Sequence, residues 1–197
     1  MNLVVFISGK GTTLQAIIDS INSTELVANI TCVISNNPEA SGLLIAKEHN
    51  IDTYIIEESV KMEQEILAVL EAYDIDLIIL AGYLKLIGPE LTKKYTIINT
   101  HPSLLPKYGG KGMYGIHVHQ SVIDAKELES GATLHYVNEE YDKGAIIAQT
   151  KVPVLSTDDA YTLSSRVQLA EKRQLIEALK LFYQSKKVEL VRKNKLN

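Results

Sequence analysis

The chain is poor in cysteine, in positive charge and in long apolar runs. Cys32 is the only cysteine among 197 residues, which excludes an intrachain disulfide. It sits in the apolar run Ile30–Ile34, where a thiol is expected to act as a small buried hydrophobe rather than a nucleophile. The 20 Lys and Arg residues are outnumbered by 24 Asp and Glu, giving a formal net charge of −4. No broad basic field is therefore present to hold nucleic acid, and any bound anion must be caught by a local site. The basic residues Lys186-Lys187 and Arg192-Lys193-Asn194-Lys195 read as a solvated tail. No apolar run approaches the roughly 20 residues of a membrane span. The first residues, Met1–Ile7, lack the basic region and cleavage site of an export signal. A soluble cytoplasmic protein without membrane or nucleic-acid partners is expected. The histidines lack metal-ligand spacing such as His-Glu-x-x-His, so no metal is expected. No repeat or low-complexity linker divides the chain, and residues 1–197 read as one domain.

What is present is ample core material, with 46% hydrophobic residues. Short apolar, β-branched runs occur at Leu3–Ile7, Ile30–Ile34, Thr53–Ile56, Leu77–Ala81 and Ile97–Ile98. Such runs fit strands buried on both faces. Helical patterns lie between them: one from Thr12 or Thr13, one over about 39–49, one over about 60–73. The alternation predicts an α/β, Rossmann-like fold with a mostly parallel central sheet flanked by helices. After the glycine-bearing loop Lys107–Gly115, a short helix is expected at about 117–125. Thr133–Val137 and Ala145–Val154 then read as an antiparallel hairpin. A long helix is predicted from Ser156 to about Gln184, capped by Ser156 or Thr157, with Asp158 and Asp159 in its first turn. Val188–Val191 reads as a final edge strand.

Two segments carry chemistry. In the turn Ile7-Ser8-Gly9-Lys10-Gly11-Thr12-Thr13-Leu14, glycines permit a tight bend and free N–H groups at a helix start attract phosphate. Leu14 stands where a dinucleotide fingerprint needs its third glycine, so a monophosphate fits better. A plain strand-to-helix turn with a threonine cap is the alternative, and Lys10 is either a phosphate contact or solvated. The second segment is Asn99-Thr100-His101-Pro102-Ser103-Leu104-Leu105-Pro106. Residues two apart in an extended backbone share a face, and Pro102 holds His101 extended. An amide that binds developing negative charge and an imidazole that moves a proton near neutral pH suit acyl transfer. A histidine satisfied within a loop is the competing view. Asp142 would favour the imidazolium and raise its pKa if it meets His101; otherwise it is a turn aspartate. His135 either faces the same cleft or packs in the core.

These residues, with the run Leu80-Ala81-Gly82-Tyr83-Leu84-Lys85-Leu86-Ile87, come in an order that resembles the phosphoribosylglycinamide formyltransferases of the formyltransferase superfamily. The resemblance covers nearly the whole chain. It implies transfer of the formyl group of 10-formyltetrahydrofolate to the amino group of glycinamide ribonucleotide. It implies that Asn99, His101 and Asp142 are catalytic, and that Gly9, Lys10, Gly11, Thr12, Thr13 and Glu171 bind phosphate and ribose. It implies a folate pocket of Leu84, Lys85, Leu86, Ile87, Asn99, Val137, Asn138, Glu140 and Asp142, with Lys61 as candidate for the folate tail. Residues 1–98 would form the phosphate-binding half and 99–197 the catalytic, folate-binding half, in a monomer or homodimer. Lys10 and Thr13 depart from the asparagines of the best-known members. Alternatives are a formyltetrahydrofolate deformylase, which usually carries an additional regulatory domain, and a noncatalytic nucleotide-binding module. The acidic balance disfavours a formyltransferase acting on tRNA.

Overall fold

The computed structural model describes the backbone of residues 1–194 and the side chains of residues 1–187. The predicted parallel core forms from β1 (Asn2–Ile7), β2 (Asn29–Ser35), β3 (Asp52–Ile55), β4 (Leu77–Leu80) and β5 (Ile97–His101). Between them lie α1 (Thr12–Asn22), α2 (Gly42–Glu48), α3 (Met62–Leu70) and α4 (Pro89–Lys94). After α5 (Ile116–Asp124), β6 (Glu129–Tyr136) and β7 (Ile146–Pro153) form the expected hairpin, and α6 (Ala160–Asn194) closes the order. The sheet order is β3-β2-β1-β4-β5-β6-β7, parallel up to β5 and antiparallel from there. This is the expected mostly parallel, Rossmann-like sheet with an antiparallel end.

The apolar runs bury because helices cover both sheet faces. Leu3, Val5 and Ile7 pack with Leu14 and Ile17 of α1 and Leu175 and Leu179 of α6. Val4, Phe6 and Cys32 face the other way, against Ile66 and Leu70 of α3. Cys32 is fully buried, and burial pushes its thiol up to about 12, in keeping with a hydrophobic role.

Several expectations are corrected. Helix α4 went unanticipated, because six residues starting at Pro89 are too few to show a helical period. The long helix starts later than expected. Neither Ser156 nor Thr157 caps it; Asp159 Oδ1 accepts the N–H groups of Tyr161 at 3.0 Å and Thr162 at 2.8 Å. Asp158 instead binds Arg166 at 2.7 Å. Val188–Val191 is not a strand but continues α6, where an already propagating helix overrides a short β-branched pattern. Lys186 is not merely solvated, since its ammonium pairs with Asp76.

Candidate active site

Ligands of open α/β sheets bind beyond the carboxyl ends of the strands. A cleft of about 910 Å³ opens there. The turn Gly9–Thr13 forms one wall, and Ala81–Ile87 after β4 forms another. Asn99 and His101 of β5 and the segment Val137–Asp142 approach from the antiparallel side, and α6 contributes Glu171. Every site residue anticipated from the sequence lines this cleft except Lys61, which sits outside it at the start of α3. Lys85 lines the cleft but is paired with Glu58.

The glycine turn is built for close approach. Gly11 has φ +71°, and a Cβ there would lie 2.6 Å from the Gly42 Cα. A side chain at position 11 would therefore strain the backbone and push α2 away from α1. Gly11 itself occupies the N-cap of α1, and no side chain caps that helix. The expected alternative, a threonine cap, is thus not present, and the first-turn N–H groups are left for an anion.

Ser8 ties this turn to the opposite wall. Its Oγ donates to Asn36 Oδ1 and accepts the Leu84 N–H at 2.9 Å. It thereby fixes the start of the Leu84–Ile87 segment without lining the cleft. Ser8→Ala is expected to raise the KM for a ligand held by that segment about fivefold, the scale of one lost hydrogen bond. Steady-state kinetics checks this, and an unchanged KM contradicts the linkage.

Asn99 and His101 lie on β5 itself rather than in the loop beyond it. His101 is 4% exposed. Its Nε2–H donates to the Tyr108 carbonyl at 2.8 Å, which leaves Nδ1 turned to Asp142 Oδ2 at 3.4 Å. The two residues do meet, across 41 positions of sequence. Asp142 also accepts the Gly110 N–H at 2.8 Å, which ties it to the glycine-rich loop. Both Asp142 and Tyr108 adopt left-handed backbone, at φ 56°. That conformation is costly for residues with a side chain and is held here by these contacts.

His135 faces the cleft, so the second of its two expected alternatives, core packing alone, is set aside. Its Nδ1–H donates to the Tyr136 carbonyl at 2.8 Å, and its Nε2 accepts from Asn99 Nδ2 at 3.1 Å. This fixes the amide of Asn99 with its nitrogen inward. The amide nitrogen also lies 3.5 Å from Asp142 Oδ1.

The electrostatics correct one expectation. Burial lowers the pKa of His101 and outweighs the opposing pull of Asp142, so the imidazole sits below its ordinary value. Asp142 is desolvated too, but the His135 and His101 rings and the Gly110 N–H outweigh that and hold its carboxyl low. His101 thus waits neutral beside a carboxylate, able to take a proton at Nδ1. Burial pushes the Glu171 carboxyl up to about 7, against the Thr100 hydroxyl that donates to it at 3.1 Å.

Sequence reasoning missed Tyr161, Ser164 and Gln168, which join Glu171 along one face of α6 in the cleft wall. Their spacing of three and four residues was the available signal. It also missed His119, which is 2% exposed and whose Nδ1 has no partner. Among the described residues no cluster of His, Cys, Asp and Glu is suited to a metal. No described helix is long and apolar enough to cross a membrane.

A glycine turn at an uncapped helix start and an amide–imidazole–carboxylate trio, facing one cleft of an open α/β sheet, are the equipment of a group-transfer enzyme. The formyl transferase family model matches residues 1–179, and the chain belongs to that family. It is similar to phosphoribosylglycinamide formyltransferase of Haemophilus influenzae, with 41% identity over 176 residues, covering 86% of this chain and 81% of the relative. It is also similar to the trifunctional purine biosynthetic protein adenosine-3 of Bos taurus, with 37% identity over 91% of this chain and 18% of that longer protein. A solved phosphoribosylglycinamide formyltransferase from Anaplasma phagocytophilum superposes with a TM-score of 0.84 at 37% identity, covering 94% of this chain and 88% of that one.

Proposed function

We propose that this chain transfers the formyl group of 10-formyltetrahydrofolate to the amino group of 5′-phosphoribosylglycinamide, in purine biosynthesis. The products are formylglycinamide ribonucleotide and tetrahydrofolate. The observation that carries the reading is the meeting of Asn99, His101 and Asp142 on the wall of a cleft that also holds an uncapped helix start. On this reading residues 1–98 supply the phosphate-binding half of one domain and residues 99–197 the catalytic and folate-binding half. The enzyme works in the cytoplasm on small molecules, without a metal.

The chemistry follows from the protonation states. The substrate amine attacks the formyl carbon, a C–N bond forms, and the carbonyl electrons move to oxygen. Neutral His101 accepts the amine proton at Nδ1, the nitrogen left free by the Tyr108 contact. The imidazolium then exists only while the oxyanion does, so its charge stabilises the transition state more than the ground state. Asp142 stabilises that imidazolium, and the Asn99 amide donates to the oxyanion. Collapse breaks the bond to the folate nitrogen, which receives the proton and leaves. The glycine turn holds the ribonucleotide phosphate, and Leu84–Ile87 with Val137, Asn138 and Glu140 hold the folate. Much of the rate comes from keeping two substrates in one geometry.

The deciding assay measures loss of 10-formyltetrahydrofolate with and without glycinamide ribonucleotide. Turnover only with the ribonucleotide is expected. Cofactor loss without it turns the reading to a deformylase, and neither binding nor turnover turns it to a noncatalytic module. Glu171 adds a pH signature. An ionised carboxyl accepts ribose hydroxyls and a protonated one does so poorly. Because its pKa is raised to about 7, the KM for the ribonucleotide is expected to rise about fivefold as pH falls one unit below that value. In Glu171→Gln the KM should no longer change over that interval; the same slope in the variant removes Glu171 from the explanation.

A further inference from the structure

Strand β5 carries Asn99 and His101 on one face and Thr100 on the other. Ile98, two positions before Thr100, shares that second face, which α6 covers. Ile98 packs in the same apolar cluster as Leu175 and Leu179. Glu171 lies one helical turn before Leu175. The step from Ile98 to Thr100 along the strand is thus matched by the step from Leu175 back to Glu171 along the helix. The two polar residues meet where the apolar packing ends, and both line the cleft. The Thr100 hydroxyl donates to Glu171 Oε1 at 3.1 Å.

This contact has two effects. It occupies one carboxylate oxygen and leaves the other, since among the described residues Oε2 has no hydrogen-bond partner. It also favours the ionised form, because a hydroxyl donates more strongly to a carboxylate than to a carboxylic acid. Burial drives the Glu171 carboxyl toward protonation, while Thr100 and Lys172, its neighbour on α6, pull the other way. Among the described residues, His101 of β5, His119 of α5 and His135 of β6 line the same cleft but do not act on it. Lys151 of β7 is paired with Glu129, and Asp19 of α1 accepts from Gln15. A strand residue facing a helix needs no hydroxyl to pack, since β-branched valine fills the same space. The hydroxyl here serves a carboxylate that is itself left half free in the cleft.

We propose that Thr100 is a positioning residue for the ribonucleotide: its hydroxyl aims the Glu171 carboxylate and keeps it ionised, so that Oε2 accepts from a ribose hydroxyl. The inference rests on the assignment of Glu171 to the ribose made above, and adds a residue that acts through it.

Two measurements on the full chain test it. The first needs no ligand. With glutamate isotope-labelled at its side-chain carboxyl, the magnetic resonance signal missing from Glu171→Gln reports the titration of Glu171. Thr100→Val is expected to move its midpoint up by about one pH unit, the scale of one hydrogen bond to a charged group. Thr100→Ala should move it equally, and Thr100→Ser should restore it. The second measurement is calorimetric titration with glycinamide ribonucleotide. From a midpoint of about 7, a one-unit rise leaves about a fifth of the ionised carboxyl at pH 7. The Kd in Thr100→Val should therefore rise about fivefold at pH 7 and less than about twofold at pH 9. The ratio of variant to wild type cancels the titration of the ribonucleotide's own phosphate and amine. A general disturbance of the fold would weaken binding equally at both pH values. An unmoved Glu171 midpoint in Thr100→Val and Thr100→Ala overturns the proposal and leaves the assignment of Glu171 to the ribose intact. So does a Kd ratio that is the same at both pH values. Equal Kd values for wild type and Glu171→Gln at pH 9 withdraw the ribose assignment itself, and the proposal falls with it.

Discussion

His101→Ala should lower the kcat for formyl transfer by about 10³- to 10⁴-fold while leaving a folded protein with nearly normal KM values. The magnitude combines loss of the group that accepts the proton with loss of the positive charge formed next to the oxyanion. The KM values should hold because the glycine turn and the Leu84–Ile87 segment do not touch His101 through any side-chain hydrogen bond. Some stability will go, since the Tyr108 carbonyl loses its donor; about 1–3 kcal/mol is the scale for an unpaired buried acceptor. Formyl transfer followed by the absorbance of the folate product, beside a thermal melt, separates the two effects. Turnover near the wild-type rate in a folded variant would remove His101 from the mechanism.

The second large effect concerns acid stability. Burial, with a smaller push from His101, lowers the His119 pKa to about 4, and its Nδ1 has no partner. Above the unfolded value near 6.5 both folded and unfolded states carry the neutral ring, and the group adds no pH dependence. As pH falls below that value the unfolded chain binds the proton and the folded one does not, so stability drops until pH passes the folded value. The loss between about pH 7 and about pH 5 is about 1–2 kcal/mol after allowing for solvent screening through the cleft. His101, whose pKa is also lowered, adds in the same direction. His119→Leu should remove the His119 share while leaving stability at neutral pH equal or higher, since an unpaired polar atom is gone. Urea unfolding at the two pH values measures this. An identical acid loss in variant and wild type would show that His119 does not carry it.

Much of the cleft could be read from the chain because its parts are local. The glycine turn and the Asn99–His101 pair declare themselves over a few residues, and the short apolar runs mark β1, β2 and β4 as buried strands. What could not be read depends on distant parts coming together. Nothing in spacing says that Asp142 reaches His101, or that burial outweighs its charge in setting the imidazole pKa. The Tyr108 carbonyl that chooses the reactive nitrogen of His101 is backbone and leaves no sequence signal. Lys61 is put forward through the resemblance, as a basic residue near the third helix, and its place at the N-cap of α3 lies outside the cleft lining. Val188–Val191 went wrong in the reverse sense, as a local pattern overruled by the helix that runs through it.

The antiparallel pairing of β5 with β6 sets Asn99 directly across from His135. That pairing acts as a vernier for the chemistry. A slip of one residue between these strands reverses which side chains look into the cleft. It would turn His135 away and release the amide of Asn99, yet it would spare every helix and most of the sheet. A population refolded with that slip would match the native far-ultraviolet spectrum and be inert. Catalytic titration, rather than spectroscopic recovery, is therefore the gauge of correct alignment in this molecule.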